Sequence, residues 1–537
     1  MSAVADRHGI VGLGEPVSLS HDHHQARRLR RTIVLLAIVN AIVFASYAVI
    51  SWGSARLTPF GTVEPIEAAF FDRLARSLAF VGGNVAALLR GQTALADAPV
   101  FFAVFSLLYV VPAVTFVMLL AALARDRAAV SDATVRAVFR CAVLFAAVAA
   151  LSYPVLVQDF WLSAGWGRLI ADGVNPYYVN LTPETTRGLP LDYLGLLMTY
   201  GPLWALISGV VMAVAGTHVL LTFALFKLVL LAAWIASLAL VRHLLRDRPP
   251  VVRCTALAIA GWLPLGVTQI VAEGHNDIVM AFFLLAWLAL LEDGRPLRAT
   301  GALAVSVLTK YVSAPVFLLD LLHLWRSRRR SLLAYLPHAA LAAIMAVVVF
   351  AFFFRSPAFF ESTRHMAGWH FFTPRDAIVG VARVIGIEPS LGTAAGIIAA
   401  LLAIGVQAFF LLIPVLGLFR YLINPNAATF RFALLTFTTG IFFGVIGHLW
   451  PWFLVTGLLV AALHPSSVLT RWTVGVALAL PLPLVFWVTY PSDDVLARIT
   501  PPLYLFAVLW YTFAPHRWLE VEPRGPARRD RAPIIGT

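Results

Sequence analysis

The feature that most limits the fold of this chain is the recurrence of apolar runs, each bounded by an arginine cluster or a short polar turn. A bilayer core is about 30 Å thick, so a helix needs about 20 apolar residues to cross it. Runs at 32–52, 99–123, 138–157, 218–241, 255–271, 336–354, 394–418 and 472–490 meet or approach that length. Shorter ones at 278–291, 432–447, 453–463 and 503–513 suit helices surrounded by protein rather than lipid. Composition agrees: 60% of residues are hydrophobic and 12% charged, against about 25% charged in soluble domains. The expected fold is all-α, a polytopic transmembrane helical bundle.

The formal charge of +13 does not imply a nucleic-acid partner. Phosphate binding needs basic clusters on a soluble face, whereas these arginines sit in short runs between apolar segments. Cytoplasmic loops are enriched in Lys and Arg, so Arg27, Arg28, Arg30 and Arg31 are expected to hold the N-terminus inside. Both ends of 299–325 carry arginines, which makes that stretch a tight hairpin. Counting it as two crossings gives about 12 to 14 in all, with both termini cytoplasmic. Residues 1–31 and 516–537 are then basic tails, and 32–515 form the transmembrane unit.

Two stretches do not fit as spans. Residues 53–98 mix charges with apolar segments and are expected to form an external loop with interfacial helices. A crossing at 201–216 would leave Arg242, Arg246, Arg248 and Arg253 outside, against the charge rule. That run is placed along the outer interface, as part of an external loop over 158–217. The group His21-Asp22-His23-His24 could hold a metal, but a disordered tail explains it better. Cys141 and Cys254 show no metal spacing and are not expected to pair.

The charge rule places several unusual polar groups on one outer face. Asp159 closes an apolar run; a carboxylate beside apolar walls can have its pKa raised, which suits a general base acting on an alcohol. It could equally be an interfacial acid paired with Arg168. Glu273, His275, Asn276 and Asp277 crowd one turn between two spans, where they could grip sugar hydroxyls or hold a divalent cation. A helix cap would need only one of them. Lys310 lies within apolar sequence, where an ammonium needs a counter-charge such as the phosphate of a lipid-linked donor, unless it snorkels to the interface. Tyr200, before Gly201-Pro202, could touch substrate or merely open a helix. His448 with Trp450 and Trp452 could stack a sugar, although an interfacial aromatic belt is the default.

Asp159, Gly165-Trp166-Gly167-Arg168, Gly173-Val174-Asn175-Pro176-Tyr177, Tyr200-Gly201-Pro202-Leu203-Trp204, Gly274-His275-Asn276-Asp277 and Leu308-Thr309-Lys310-Tyr311 follow one another in an informative order. Together they resemble membrane glycosyltransferases of the GT-C superfamily, in particular bacterial mannosyltransferases that use polyprenyl-phosphate mannose. The resemblance covers about residues 157–319. It implies a GT-C-like bundle in the cytoplasmic membrane and inverting transfer, outside the cell, of a sugar from a polyprenyl-phosphate donor to a glycan or glycolipid acceptor. Asp159 would be the base, Lys310 and Arg168 would hold the donor phosphate, and Glu273, His275, Asn276, Asp277, Tyr200, His448 and Trp450 would bind substrate. Many relatives carry Asp-X-Asp or Glu-X-Asp in that loop. Here Phe160 and Trp161 follow Asp159, which weakens the case for a divalent cation, and no cofactor is expected. The alternative is a lipid-linked-sugar flippase or other secondary transporter, which would favour broken helices and charges near the bilayer midplane.

Overall fold

A computed structural model describes residues 17–54, 98–186, 188–191, 195–327, 332–367, 371–390, 392–489 and 493–514. All but the edges of the loop expected over 53–98, and the C-terminal tail beyond 514, lie outside these residues.

Apart from one isolated bridge between Phe371 and His448, the described residues form only helices, turns and loops. In order the main helices are α1 (Val17–Ser54), α2 (Ala98–Arg125), α3 (Asp132–Ala149), α4 (Asp159–Ala171), α5 (Pro202–Ala215), α6 (Val219–Leu244) and α7 (Pro250–Gly261). There follow α8 (Asp277–Glu292), α9 (Pro296–Thr309), α10 (Phe317–Ser327), α11 (Leu336–Phe353), α12 (Pro374–Val384) and α13 (Ala394–Ile423). The last are α14 (Ala427–Gly440), α15 (Leu454–Ala461), α16 (Val468–Ala479), α17 (Pro481–Thr489) and α18 (Asp493–Phe513). The tail expected to be disordered is helical from Val17, so the Arg27–Arg31 cluster rides on α1.

Among the described residues, seven helices are long and apolar enough to cross a membrane, or eight if a bent pair counts as one span. That is fewer than the 12 to 14 crossings expected. The remaining apolar runs fold as shorter helices: α8 has 16 residues, α9 has 14, and α15 has 8, all of them buried. Packed inside protein, they need neither full length nor an apolar exterior. Exposed apolar character is greatest on α11 and α13, whose exposed side chains include Ile344, Val347 and Phe352, and Leu401, Phe409 and Leu416. Helix α5, at 14 residues, is about 21 Å long, shorter than a bilayer core.

Ion pairs tie the basic helix ends together. Arg28 of α1 meets Asp126 after α2, Arg253 of α7 meets Asp132 of α3, and Arg431 of α14 meets Glu292 of α8. Arg431 also donates to the Leu244 carbonyl at the end of α6. These contacts put the arginine-rich ends on one face. Helices α3, α7 and α9 then run from that face towards the turns that carry the polar motifs. There α4 packs along α5, α8 along α9, and α5 touches α9, so two helix pairs meet at the motif-bearing ends.

Candidate active site

The run expected to span 138–157 ends at Ala149, because Pro154 cannot continue a helix. The chain turns and restarts at Asp159, the first residue of α4, where the helix dipole favours a negative charge. Two parts of the protein hold that turn. The Tyr153 amide donates to Ser51 Oγ at 2.9 Å, while the amides of Val155 and Leu156 donate to one Glu273 oxygen at 3.0 and 2.8 Å.

The second wall comes from Tyr200-Gly201-Pro202. Pro202 opens α5 with its ring at a position where no N–H is needed. The Gly201 amide donates to the Thr309 carbonyl at 3.0 Å, and a Cβ at Gly201 would lie 2.2 Å from the Leu308 carbonyl oxygen. Only glycine lets these two backbones touch. The contact brings Tyr200 beside Lys310, whose ammonium lies 5.3 Å from the Tyr200 ring centroid.

The third wall is the turn at 273–277. The run expected to span 255–271 breaks after Gly261, just before Pro264, and bends by 49° into a π-helix, Gly266–Ala272. In that wider register the Glu273 amide bonds to the Thr268 carbonyl, five residues back, at 2.8 Å. A regular α-helix would have used the Gln269 carbonyl. That carbonyl instead accepts from His275 Nδ1 at 2.5 Å. Gly274 follows with φ +88°, and a Cβ there would strike the Phe160 ring at 2.4 Å.

Tyr200 donates its hydroxyl to Asp159 Oδ2 at 2.8 Å, and His275 Nε2 lies 3.7 Å from the same oxygen. Lys310 donates to Asp277 Oδ1 at 2.8 Å and sits 3.9 Å from the centre of the Phe453 ring. The Asp159 side chain retains 23% exposure and Lys310 12%, whereas Asp277 retains 1% and His275 none. Burial raises the Asp159 pKa above the usual carboxylate range, opposed by the Tyr200 hydrogen bond and the Lys310 charge and aided by Asp277. Burial also lowers that of Lys310, against the pull of both carboxylates. Asp277 Oδ2, Asn276 Nδ2, His275 Nε2 and Gln269 Oε1 are buried without a hydrogen-bond partner. Unpaired buried polar atoms on His275 and Asp277, next to Asp159 and Lys310, mark where a polar ligand could bind. No group of three His, Cys, Asp or Glu residues suited to a metal occurs among the described residues.

The structure therefore brings together Asp159, Tyr200, His275, Asn276, Asp277 and Lys310. The alternative of a side-chain cap is overturned, since Asn276 occupies the cap position of α8 without making that bond. Four expectations need correction. Glu273 is not placed to bind substrate: it is fully buried, one oxygen holds the two backbone amides, and the other accepts from Tyr47. Arg168 lies nine residues along α4 from Asp159, about 13 Å at 1.5 Å per residue. It donates to the Gly216 carbonyl at the end of α5, so it does not reach the Lys310 side of the site. Trp450 offers no open sugar platform, for it is 8% exposed and stacks on Trp452. Trp452 in turn stacks on His275, with centroids 3.9 Å apart and planes 12° apart. His448 is 6% exposed and packs its ring beside Phe371 and Phe453, backing the Lys310 wall rather than facing a ligand.

Gln269 and Phe453 were not foreseen. A lone amide within an apolar run is itself a signal, so Gln269 could have been found. Phe453 gave none, being one more aromatic after Trp450-Pro451-Trp452. Lys227, buried within α6, caps the end of the π-helix by donating to the Val271 and Ala272 carbonyls, which supplies the protein-facing partner such a residue needs.

Residues 74–326 match a family model described as alpha-(1->6)-mannopyranosyltransferase, N-terminal domain, of the MptA_B family. The matched stretch contains every residue from Asp159 to Lys310 in this site. Alpha-(1->6)-mannopyranosyltransferase A of Mycobacterium tuberculosis (strain ATCC 25618 / H37Rv) is 30% identical over 252 residues, covering 44% of this chain and 47% of the relative. The chain thus matches about half the length of that curated relative.

Proposed function

We propose that this protein is a multi-pass membrane mannosyltransferase that moves mannose from a polyprenyl-phosphate donor to an acceptor hydroxyl on the outer side of the cytoplasmic membrane. The observation that carries the reading is one cluster: a partly exposed carboxylate, Asp159, and an ammonium, Lys310, are linked across Tyr200. The similarity to alpha-(1->6)-mannopyranosyltransferases supports mannose as the sugar. The arginine-rich face formed by Arg28, Arg253 and Arg431 supports a cytoplasmic placement for those helix ends, and so an outer placement for the motif-bearing ends opposite.

In the proposed step, the acceptor hydroxyl oxygen bonds to the anomeric carbon as the bond from that carbon to the phosphate oxygen breaks. The hydroxyl proton passes to Asp159, and the electron pair of the broken bond leaves with the polyprenyl phosphate, inverting the centre. A base with a raised pKa is suited to taking a proton near neutrality. Lys310 has three N–H donors, one of them occupied by Asp277. The others face the negative charge as it develops on the leaving phosphate, where a fixed donor contributes about 3 kcal/mol. This scheme uses Lys310 as its cation and no resident metal.

The test is transfer from radiolabelled polyprenyl-phosphate mannose to a synthetic alkyl mannoside by purified Asp159→Asn protein. Loss of a general base costs about 10²- to 10⁴-fold in rate, with membrane insertion unchanged. Turnover close to that of the unmodified enzyme would remove Asp159 from the mechanism.

A further inference from the structure

The hydrogen-bonding state of His275 is fixed by its surroundings. A carbonyl can only accept, so the bond to Gln269 puts the proton on Nδ1 and leaves Nε2 of the neutral ring as an acceptor. Burial, with the charges of Lys310 and Lys227 nearby, holds the imidazole pKa down to about 3, so the ring stays neutral. The Nδ1 bond to Gln269 and the stack on Trp452 together hold the ring in this orientation. Its Nε2 therefore lies 3.7 Å from Asp159 Oδ2 as an acceptor without a donor of its own.

We infer that His275 is a positioning residue that sets the basicity of Asp159, its Nε2 accepting the hydrogen bond of the carboxyl group once Asp159 has taken the acceptor's proton. A lone pair facing an ionised carboxylate stabilises nothing. Facing the protonated acid, it completes an O–H···N bond after an approach of about 0.9 Å to normal length. A bond made only by the neutral form raises the proton affinity of the acid.

The other groups around Asp159 do not supply this. The Tyr200 hydroxyl and the Lys310 ammonium favour the ionised form, and Asp277 opposes it only through its like charge. Lys227 acts on the imidazole rather than on Asp159. During transfer the proton leaves the acceptor oxygen as its bond to carbon forms, rests on Asp159 Oδ2 shared with Nε2, and returns to solvent by the exposed edge of Asp159. Tyr200 can keep donating to the same oxygen throughout.

The inference rests on Asp159 being the base, and the experiment separates the two. His275→Asn places an amide nitrogen where Nδ1 was, preserving the bond to Gln269, and nothing where Nε2 was. The pH dependence of kcat/KM for an alkyl mannoside acceptor is compared in the unmodified enzyme and the variant. The acid limb is expected to move down by about one pH unit, a tenfold loss of proton affinity. A purely structural role would lower the rate without moving the limb, so an unmoved or raised limb overturns the inference. If His275→Asn fails to accumulate, His275→Phe, which keeps the ring stacked on Trp452, carries the same expectation. Loss of turnover in Asp159→Asn with an unmoved limb at position 275 would leave the base in place and remove only the role of His275. Turnover retained in Asp159→Asn would remove both.

Discussion

Gly201→Ala tests how the pocket is held together, because the substitution adds one carbon where two walls meet. The new Cβ would stand 2.2 Å from the Leu308 oxygen, 2.7 Å from its carbon and 2.9 Å from the Thr309 carbonyl carbon. All three are backbone atoms, which no rotamer change can clear. Reaching an ordinary contact of 3.4 Å requires the walls to part by 1.2 Å, the difference between 3.4 and 2.2. The 3.0 Å bond from the Gly201 amide to Thr309 would then exceed hydrogen-bonding range. Backbone strain plays no part, since φ −66° and ψ 156° at Gly201 suit any residue. Overpacking of this kind costs about 1 to 3 kcal/mol of stability. The larger effect falls on catalysis. Tyr200 and Lys310 are the next residues on the two walls, so the displacement carries Lys310 away from Asp159, and a misplacement of about 1 Å costs about 10²-fold in rate. Thermal unfolding in detergent and kcat with saturating donor give the two readouts. A variant that unfolds at the same temperature and turns over within about twofold of the unmodified enzyme would refute the close approach.

Two further substitutions separate binding from scaffolding. Lys310→Met leaves Asp277 buried without its counter-charge, a loss of about 3 to 5 kcal/mol. The double variant Lys310→Met, Asp277→Asn is expected to recover most of the unfolding temperature but none of the turnover. Recovery of both would deny Lys310 a role at the leaving phosphate. Glu273→Gln turns an NH₂ group towards donors that now find oxygens, at about 1 to 3 kcal/mol. Unfolding temperature and kcat should fall together while the KM for acceptor stays level. A selective rise in that KM would instead return Glu273 to the substrate.

How much of this was legible depended on whether a residue acts through its own segment or across segments. Asp159 was legible because an acid at the end of an apolar run is conspicuous in one dimension, and Lys310 for the same reason. Their meeting was not, since it depends on Gly201 admitting the Leu308 backbone, a contact between residues more than a hundred positions apart. The two expected spans that came out short failed at prolines: Pro154 ends one, and Pro264 bends the other into a π-helix. Both were visible in the sequence, but apolar length outweighed them. Arg168 was misplaced because sharing a motif with Asp159 says nothing of the axial distance a helix inserts between them.

The turn at 273–277 shows why residue type alone could not assign roles. Its three most polar side chains are spaced two apart, and each goes to a different neighbour. Glu273 holds the loop that leads to Asp159, His275 faces the Asp159 carboxylate, and Asp277 holds Lys310. Sequence reasoning gave all three a shared task, gripping sugar or a divalent cation, because they share a turn and a chemistry. The separation comes from the π-helix before them, which withholds the Gln269 carbonyl from the backbone ladder and gives it to His275. A single displaced hydrogen bond thus helps to fix the imidazole beside Asp159. Restoring a regular helix there, for instance by deleting one residue from Gly266–Ala272, would return that carbonyl to the ladder and leave His275 free to rotate.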